Sequence, residues 1–159
     1  MKELVDELTG ESILFDTISK DEYMAMYRVI GAAMKVHELL GKGLEEAVYQ
    51  EAMEIEMNRR NMVHEPQKQI PCYYDGILMK KHYQADIFYE DVIVELKAVE
   101  ELISDHRAQL FNYMRLSQVK RGLLINFGGD HLYAERYVFQ RHYNDFALLT
   151  EQNLKYYVQ

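Results

Sequence analysis

Asp86, Glu95 and Lys97 bring two acids and a lysine close together in the sequence, a combination suited to catalysis. They lie in the stretch 85–97, which reads as two β-strands joined by a tight turn between Glu90 and Asp91. A symmetric turn sets Asp86 opposite Glu95, and directly opposed side chains in an antiparallel pair have Cβ atoms about 4.5–5.5 Å apart. Two carboxylates that close repel each other unless a cation lies between them. Lys97, two residues beyond Glu95, projects from the same strand face. A hard divalent metal beside a lysine suits phosphodiester hydrolysis, where the attacking water must be activated and developing negative charge needs cations nearby. The same residues also fit an ordinary half-buried strand, with Val92, Val94 and Leu96 inside and Ile93, Glu95 and Lys97 on a solvated face.

A chain of 159 residues with 48% hydrophobic content supports one compact domain. No apolar run approaches the ~18 residues of a membrane span, and the charged start is unlike a secretory signal, so the expectation is a cytoplasmic protein without membrane contact. The single cysteine, Cys72, excludes an internal disulfide and a cysteine-clustered zinc site. A net charge of −8 argues against wrapping nucleic acid by bulk electrostatics. The charge is uneven, however. Residues 59–121 hold 10 basic and 9 acidic side chains, against 5 and 13 in residues 1–58. Arg59, Arg60, Lys68, Lys80, Lys81, Arg107, Arg115, Lys120 and Arg121 are therefore available around the candidate site, as a phosphate-binding surface or as plain solvated charge.

Periodicity and punctuation along the chain give the helices and strands around these groups. Residues 1–18 form an acidic extension, a short helix or partner-binding arm, and residues 19–159 a single domain. Ser19 and Glu22 have capping-box spacing, and Tyr23, Met26, Tyr27, Ile30, Met34 and Leu40 recur helically up to Gly41. A second helix is predicted from Leu44 to about Asn61, with Val48, Ala52 and Ile55 on its apolar face. Pro66 ends that pattern. Strands 67–74 and 77–83 pair around Asp75-Gly76, and the second runs on through a bend near Gln84 into the strand carrying Asp86. A helix follows Ser104-Asp105, then a buried strand over 122–127, then another over 131–139, while the Tyr-rich tail carries no signal. Helices first, then hairpins, then a helix crossing to a further strand indicate a mixed α/β domain.

Gly43, Glu46 and Tyr49 form Gly-x-x-Glu-x-x-Tyr at the start of the second helix, where Glu46 and Tyr49 lie on nearly the same face. An acid in a first turn also simply offsets the helix dipole, and Tyr49 could be ordinary core. Gln109 and Tyr113 share a face of the later helix, with His106 one turn earlier; a surface glutamine beside a packing tyrosine reads equally well.

Taken together, Val36–Tyr49, Ala85-Asp86, Val92–Ala98, Gln109–Tyr113 and Gly122–Phe127, in this order, resemble the GxxExxY protein family, a branch of the PD-(D/E)xK nuclease-like superfamily. The likeness covers roughly residues 24–127. It implies the fold of that superfamily, a central mixed β-sheet flanked by α-helices. It further implies a Mg²⁺- or Mn²⁺-dependent phosphodiesterase, with one or two ions, acting on DNA or, less favoured, RNA. By the resemblance Asp86, Glu95, Glu46 and the Leu96 carbonyl would hold the metal, Lys97 would be the catalytic lysine, and Gln109 with Tyr113 the Gln-x-x-x-Tyr motif. Tyr113, His37 and Tyr49 are the candidate substrate contacts, although a histidine among apolar neighbours is more often packed than functional. Lys42 and Ala85 stand where relatives often carry proline, and neither change removes a reacting group. The rival is a non-catalytic binding or assembly module on the nuclease fold. The acidic charge favours it, and a homodimer or a basic protein partner would reconcile that charge with nucleic acid.

Overall fold

A computed structural model describes all residues, Met1–Gln159. A six-stranded sheet runs in the order β3 (Glu65–Tyr74), β4 (Ile77–Tyr89), β5 (Val92–Lys97), β6 (Arg121–Asn126), β7 (Tyr133–Gln140) and β8 (Asp145–Leu148). Every neighbouring pair is antiparallel except β5 and β6, whose parallel pairing requires the crossover helix α3 (Ser104–Ser117). Two helices, α1 (Lys20–Leu40) and α2 (Glu46–Arg59), cover one face of the sheet, and α3 covers the other. This is the expected mixed sheet between helical layers.

The local signals explain these elements. Ser19 caps α1 in a reciprocal box with Glu22, and Gly41, at φ 68°, ends it. Asp75 and Gly76 both take positive φ and turn β3 into β4, and Glu90 and Asp91 do the same between β4 and β5. The second turn has no glycine to relieve it. It is held from outside: Arg121 donates to the Glu90 carbonyl at 2.6 Å, and Arg28 meets the Glu90 carboxylate at 2.9 Å.

The buried sides of both helices differ from the sequence reading. In α1 the inward stripe is Ala25, Met26, Val29, Ala32, Ala33 and Val36, while Tyr27, Met34 and Leu40 stay exposed. In α2 the buried residues are Tyr49, Met53 and Met57, and Val48 and Ile55 face solvent. The cause is the sheet: small residues let α1 lie close to it, and flexible methionines fill the gap left. The solvated-face reading of β5 fails for a related reason. Val92, Val94 and Leu96 pack under α1 and α2, but Ile93 packs under α3, so both faces of the strand are covered.

Both chain ends are more structured than expected. Residues 1–18 contain no helix but a separate two-stranded sheet, β1 (Lys2–Val5) with β2 (Ser12–Phe15). Its exit is fastened to the main sheet, because buried Asp16 accepts the Arg141 amide at 2.8 Å and Ile18 enters the core. The tail forms β8 and a single turn, α4 (Leu154–Tyr157). No helix is long and apolar enough to cross a membrane.

Candidate metal and phosphate site

The turn at Glu90-Asp91 fixes the register of the site. Ile87 pairs with Val94, Phe88 with Ile93 and Tyr89 with Val92, so continuing the ladder brings Asp86 to Glu95, as expected. Each carboxyl acts on the other's proton affinity, Asp86 raising Glu95 and Glu95 lowering Asp86. Asp86 Oδ2 also accepts the Leu96 amide at 2.8 Å, which pins it to the strand opposite.

The electrostatics of the pair are those of a site short of positive charge. Burial, then repulsion from Asp86, holds the Glu95 carboxyl well above the usual carboxylate range. Burial also raises Asp86, with the Leu96 amide and Lys97 opposing it. Glu95 Oε1 is buried without a hydrogen-bond partner. A buried acceptor left unpaired costs free energy, and a hard cation taking oxygen ligands would satisfy it. Asp86 and Glu95 therefore fit a divalent ion, with the Leu96 carbonyl next in the chain. The third acid is set apart. Glu46, at the first position of α2, is exposed and shares an open groove of about 460 Å³ with Asp86, Gln50 and Gln67. Partial desolvation at the wall of that groove, opposed by Lys97 and reinforced by Asp86, raises its carboxyl. Nowhere do three His, Cys, Asp or Glu side chains gather closely enough to hold an ion unaided.

Lys97, Gln109 and Tyr113 form a chain across the strand and α3. Lys97 Nζ donates to Gln109 Oε1 at 3.3 Å, and Gln109 Nε2 donates to the Tyr113 hydroxyl at 2.7 Å. The Tyr113 ring rests on Tyr83 of β4, with centroids 4.0 Å apart. Gln109 thus has both ends of its amide fixed, and its oxygen is directed at the ammonium.

Two marker residues are committed elsewhere. Tyr49 is fully buried, stacks on Phe127 at 4.6 Å and donates to the Gly41 carbonyl at 2.6 Å, so it fastens the glycine turn before α2 rather than reaching a substrate. His37 Nε2 lies 3.0 Å from the Gly129 carbonyl and supports the loop after β6.

The sequence reading missed three supports. Gln50 donates to the Asp86 carbonyl at 2.8 Å, and its position one turn after Glu46 was the available signal. Asn126 bonds the Val99 amide at 3.0 Å and the Val99 carbonyl at 2.8 Å, locking the segment that leaves Lys97. Gly128 lies so close to that segment that a Cβ there would sit 2.0 Å from the Val99 carbonyl oxygen. The third support is Glu135 on β7, almost fully buried. It accepts both Nε and Nη2 of Arg107 at 2.7 Å, Tyr133 at 2.7 Å and Tyr137 at 2.6 Å, clamping the first turns of α3 to the sheet. Long-range pairing of this kind leaves no trace in local sequence.

A mixed sheet between helices, with an acid pair and a lysine on adjacent central strands, defines a nuclease-type scaffold. The sequence model of the PD-(D/E)XK nuclease superfamily matches residues 23–138, and the chain belongs to that superfamily. No curated protein matches the chain. Among solved structures it is similar to one described as "Crystal structure of SSO0001", at 16% identity and a TM-score of 0.46, over 82% of this chain and 71% of that one.

Proposed function

We propose that this chain is a divalent-metal-dependent phosphodiesterase of the GxxExxY type, cutting DNA in preference to RNA. The observation that carries the reading is the Asp86–Glu95 pair, Asp86 half-buried at an open groove and Glu95 buried with its Oε1 unsatisfied, with Lys97 alongside. Asp86, Glu95 and the Leu96 carbonyl would hold Mg²⁺ or Mn²⁺, one or two ions, with Glu46 completing the shell through water. Such an ion would supply Lewis acidity and a water of lowered pKa. Lys97 places an ammonium beside the phosphate, where charge develops, and Gln109 keeps that ammonium from swinging away. Tyr113 fixes the Gln109 amide. Incubating labelled single- and double-stranded DNA and RNA with Mg²⁺ or Mn²⁺ tests the reading. Cleavage by wild type and its loss in Lys97→Ala support it, and an inert wild type across the panel removes it.

A second reading, a non-catalytic binding or assembly module, draws on the separation of Glu46 from the acid pair and on the net charge of −8. In that case a basic protein or a second copy would be the partner, and the same panel would show no product.

A further inference from the structure

The nine basic side chains between residues 59 and 121 other than Lys97 are not equivalent in the structure. Arg60, Lys68, Arg107 and Arg121 are paired with Glu56, Glu65, Glu135 and Glu22. Arg115 is bonded to Asn144 and lies over Phe146. Arg59, Lys80, Lys81 and Lys120 make no ion pair, and of these only Lys80 and Lys81 are adjacent and on the strand that carries Asp86.

That strand outruns the sheet. β5 pairs only with Ile87–Tyr89 of β4, so residues 77–85 have β3 as their only neighbouring strand and form a two-stranded ribbon at the sheet edge. One side is anchored, with Ile70 and Cys72 buried and Tyr83 on Tyr113. Its tip is not: Tyr74 is 73% exposed, Ile77 68%, Leu78 62% and Tyr73 41%. Two tyrosines and two aliphatic residues in water, followed by two free lysines, combine stacking surfaces with phosphate partners. A protein strand is a poor occupant, because the edge strand β3 carries Pro66 and Pro71, and proline on an edge strand blunts strand addition.

We propose that the β3–β4 ribbon grips unpaired nucleic acid, with Tyr73 and Tyr74 stacking on bases and Lys80 and Lys81 holding the phosphates that lead to Asp86. The assignment rests on the nuclease reading above and adds strandedness to it. Lys80 and Lys81 stand six and five residues before Asp86, ~15–20 Å along a strand. That span corresponds to about five nucleotides at the stacked spacing of one chain. The ribbon therefore acts on a segment beyond the scissile bond.

The test is binding of a fluorescein-labelled oligothymidylate to the full chain in EDTA, followed by anisotropy at several salt concentrations. For a chain of about 20 nucleotides, Lys80→Ala/Lys81→Ala should lose about tenfold in affinity, and its log K against log salt slope should shrink by about 1.4, two phosphate contacts' worth. Tyr74→Ala should lose about tenfold with the slope unchanged. No oligonucleotide binding by wild type, tighter binding of duplex than of single strand, or unchanged affinity and slope in the double variant would each overturn the assignment. Assaying the same proteins with Mn²⁺ separates the two readings. Ribbon-dependent binding without any cleavage removes the nuclease and leaves the ribbon; cleavage with KM unaltered in the ribbon variants removes the ribbon and leaves the nuclease.

Discussion

Asp86 Oδ2 and the Leu96 amide, 2.8 Å apart, tie two strands together at the point where their regular ladder ends. The bond orients one carboxylate toward the other, so the acid pair is built into the sheet rather than displayed on a loop.

The first prediction concerns the cost of that arrangement. The folded pKa values of Asp86 and Glu95 are raised, so between pH ~4.5 and the folded value of Glu95 the native state binds more protons than the unfolded chain. Stability contributed by the protonated form is present at low pH and is lost as pH rises. In EDTA the Tm should fall from pH 5 to pH 8, Mg²⁺ should reverse much of that fall, and Asp86→Asn should be more stable than wild type in EDTA while gaining nothing from Mg²⁺. Thermal denaturation across this grid checks it, and an intact Mg²⁺ response in Asp86→Asn would place the ion elsewhere.

Lys97 separates binding from chemistry. Its ammonium is no ligand, so Lys97→Ala should keep the Mg²⁺ thermal shift while cleavage drops by at least ~10², the scale of one lost transition-state electrostatic contact. Glu95→Ala should lose both. Equal cleavage by Lys97→Ala and wild type would end the catalytic assignment.

Gln109 is expected to matter through Lys97. Gln109→Ala frees the ammonium, and kcat should fall about tenfold with KM little changed, since the defect appears only when charge develops. Tyr113→Phe removes only the hydroxyl that meets the Gln109 amide and should cost less than Gln109→Ala. Steady-state kinetics on one oligonucleotide decides the order.

Glu135 carries a stability prediction of opposite pH sense. Burial pushes its carboxyl up, but hydrogen bonds from Arg107, Tyr137 and Tyr133 bring it below the usual range. Its contribution is therefore present above the ordinary carboxylate pKa and is lost as pH falls through the lowered folded value. Glu135→Ala strands a half-buried guanidinium and two hydroxyls. It should cost about 3 kcal/mol at pH 7, and much less at pH 2, measured by urea denaturation. An equal loss at both pH values would contradict the assignment.

How much of this was legible beforehand follows from where the information lies. The Asp86–Glu95 pairing was readable because a single turn, Glu90-Asp91, determines it, and turns are local. The capping box of Ser19 and the Asp75-Gly76 hairpin were readable for the same reason. The inward faces of α1 and α2 were not. Ala32, Ala33 and Met57 are buried because of the sheet beneath them, and a hydrophobicity pattern favours Tyr27, Met34 and Ile55 instead. In the site, Glu95 and Lys97 stood out by type and spacing, whereas Asn126 and Glu135 act on partners 27 and 28 residues away and carry no local mark.

Gly128 closes against Val99 with no room for a side chain, behind the segment that leaves Lys97. Any substitution there must push the Val99 backbone aside, and Asn126, bonded to both the amide and the carbonyl of Val99, transmits the push toward the strand end. A saturation scan ranked by cleavage would therefore sort Gly128 with Glu95 and Lys97. Loss of function at such a position reports a distance between two backbones, and an inventory of reacting groups drawn from such a scan would count one residue too many.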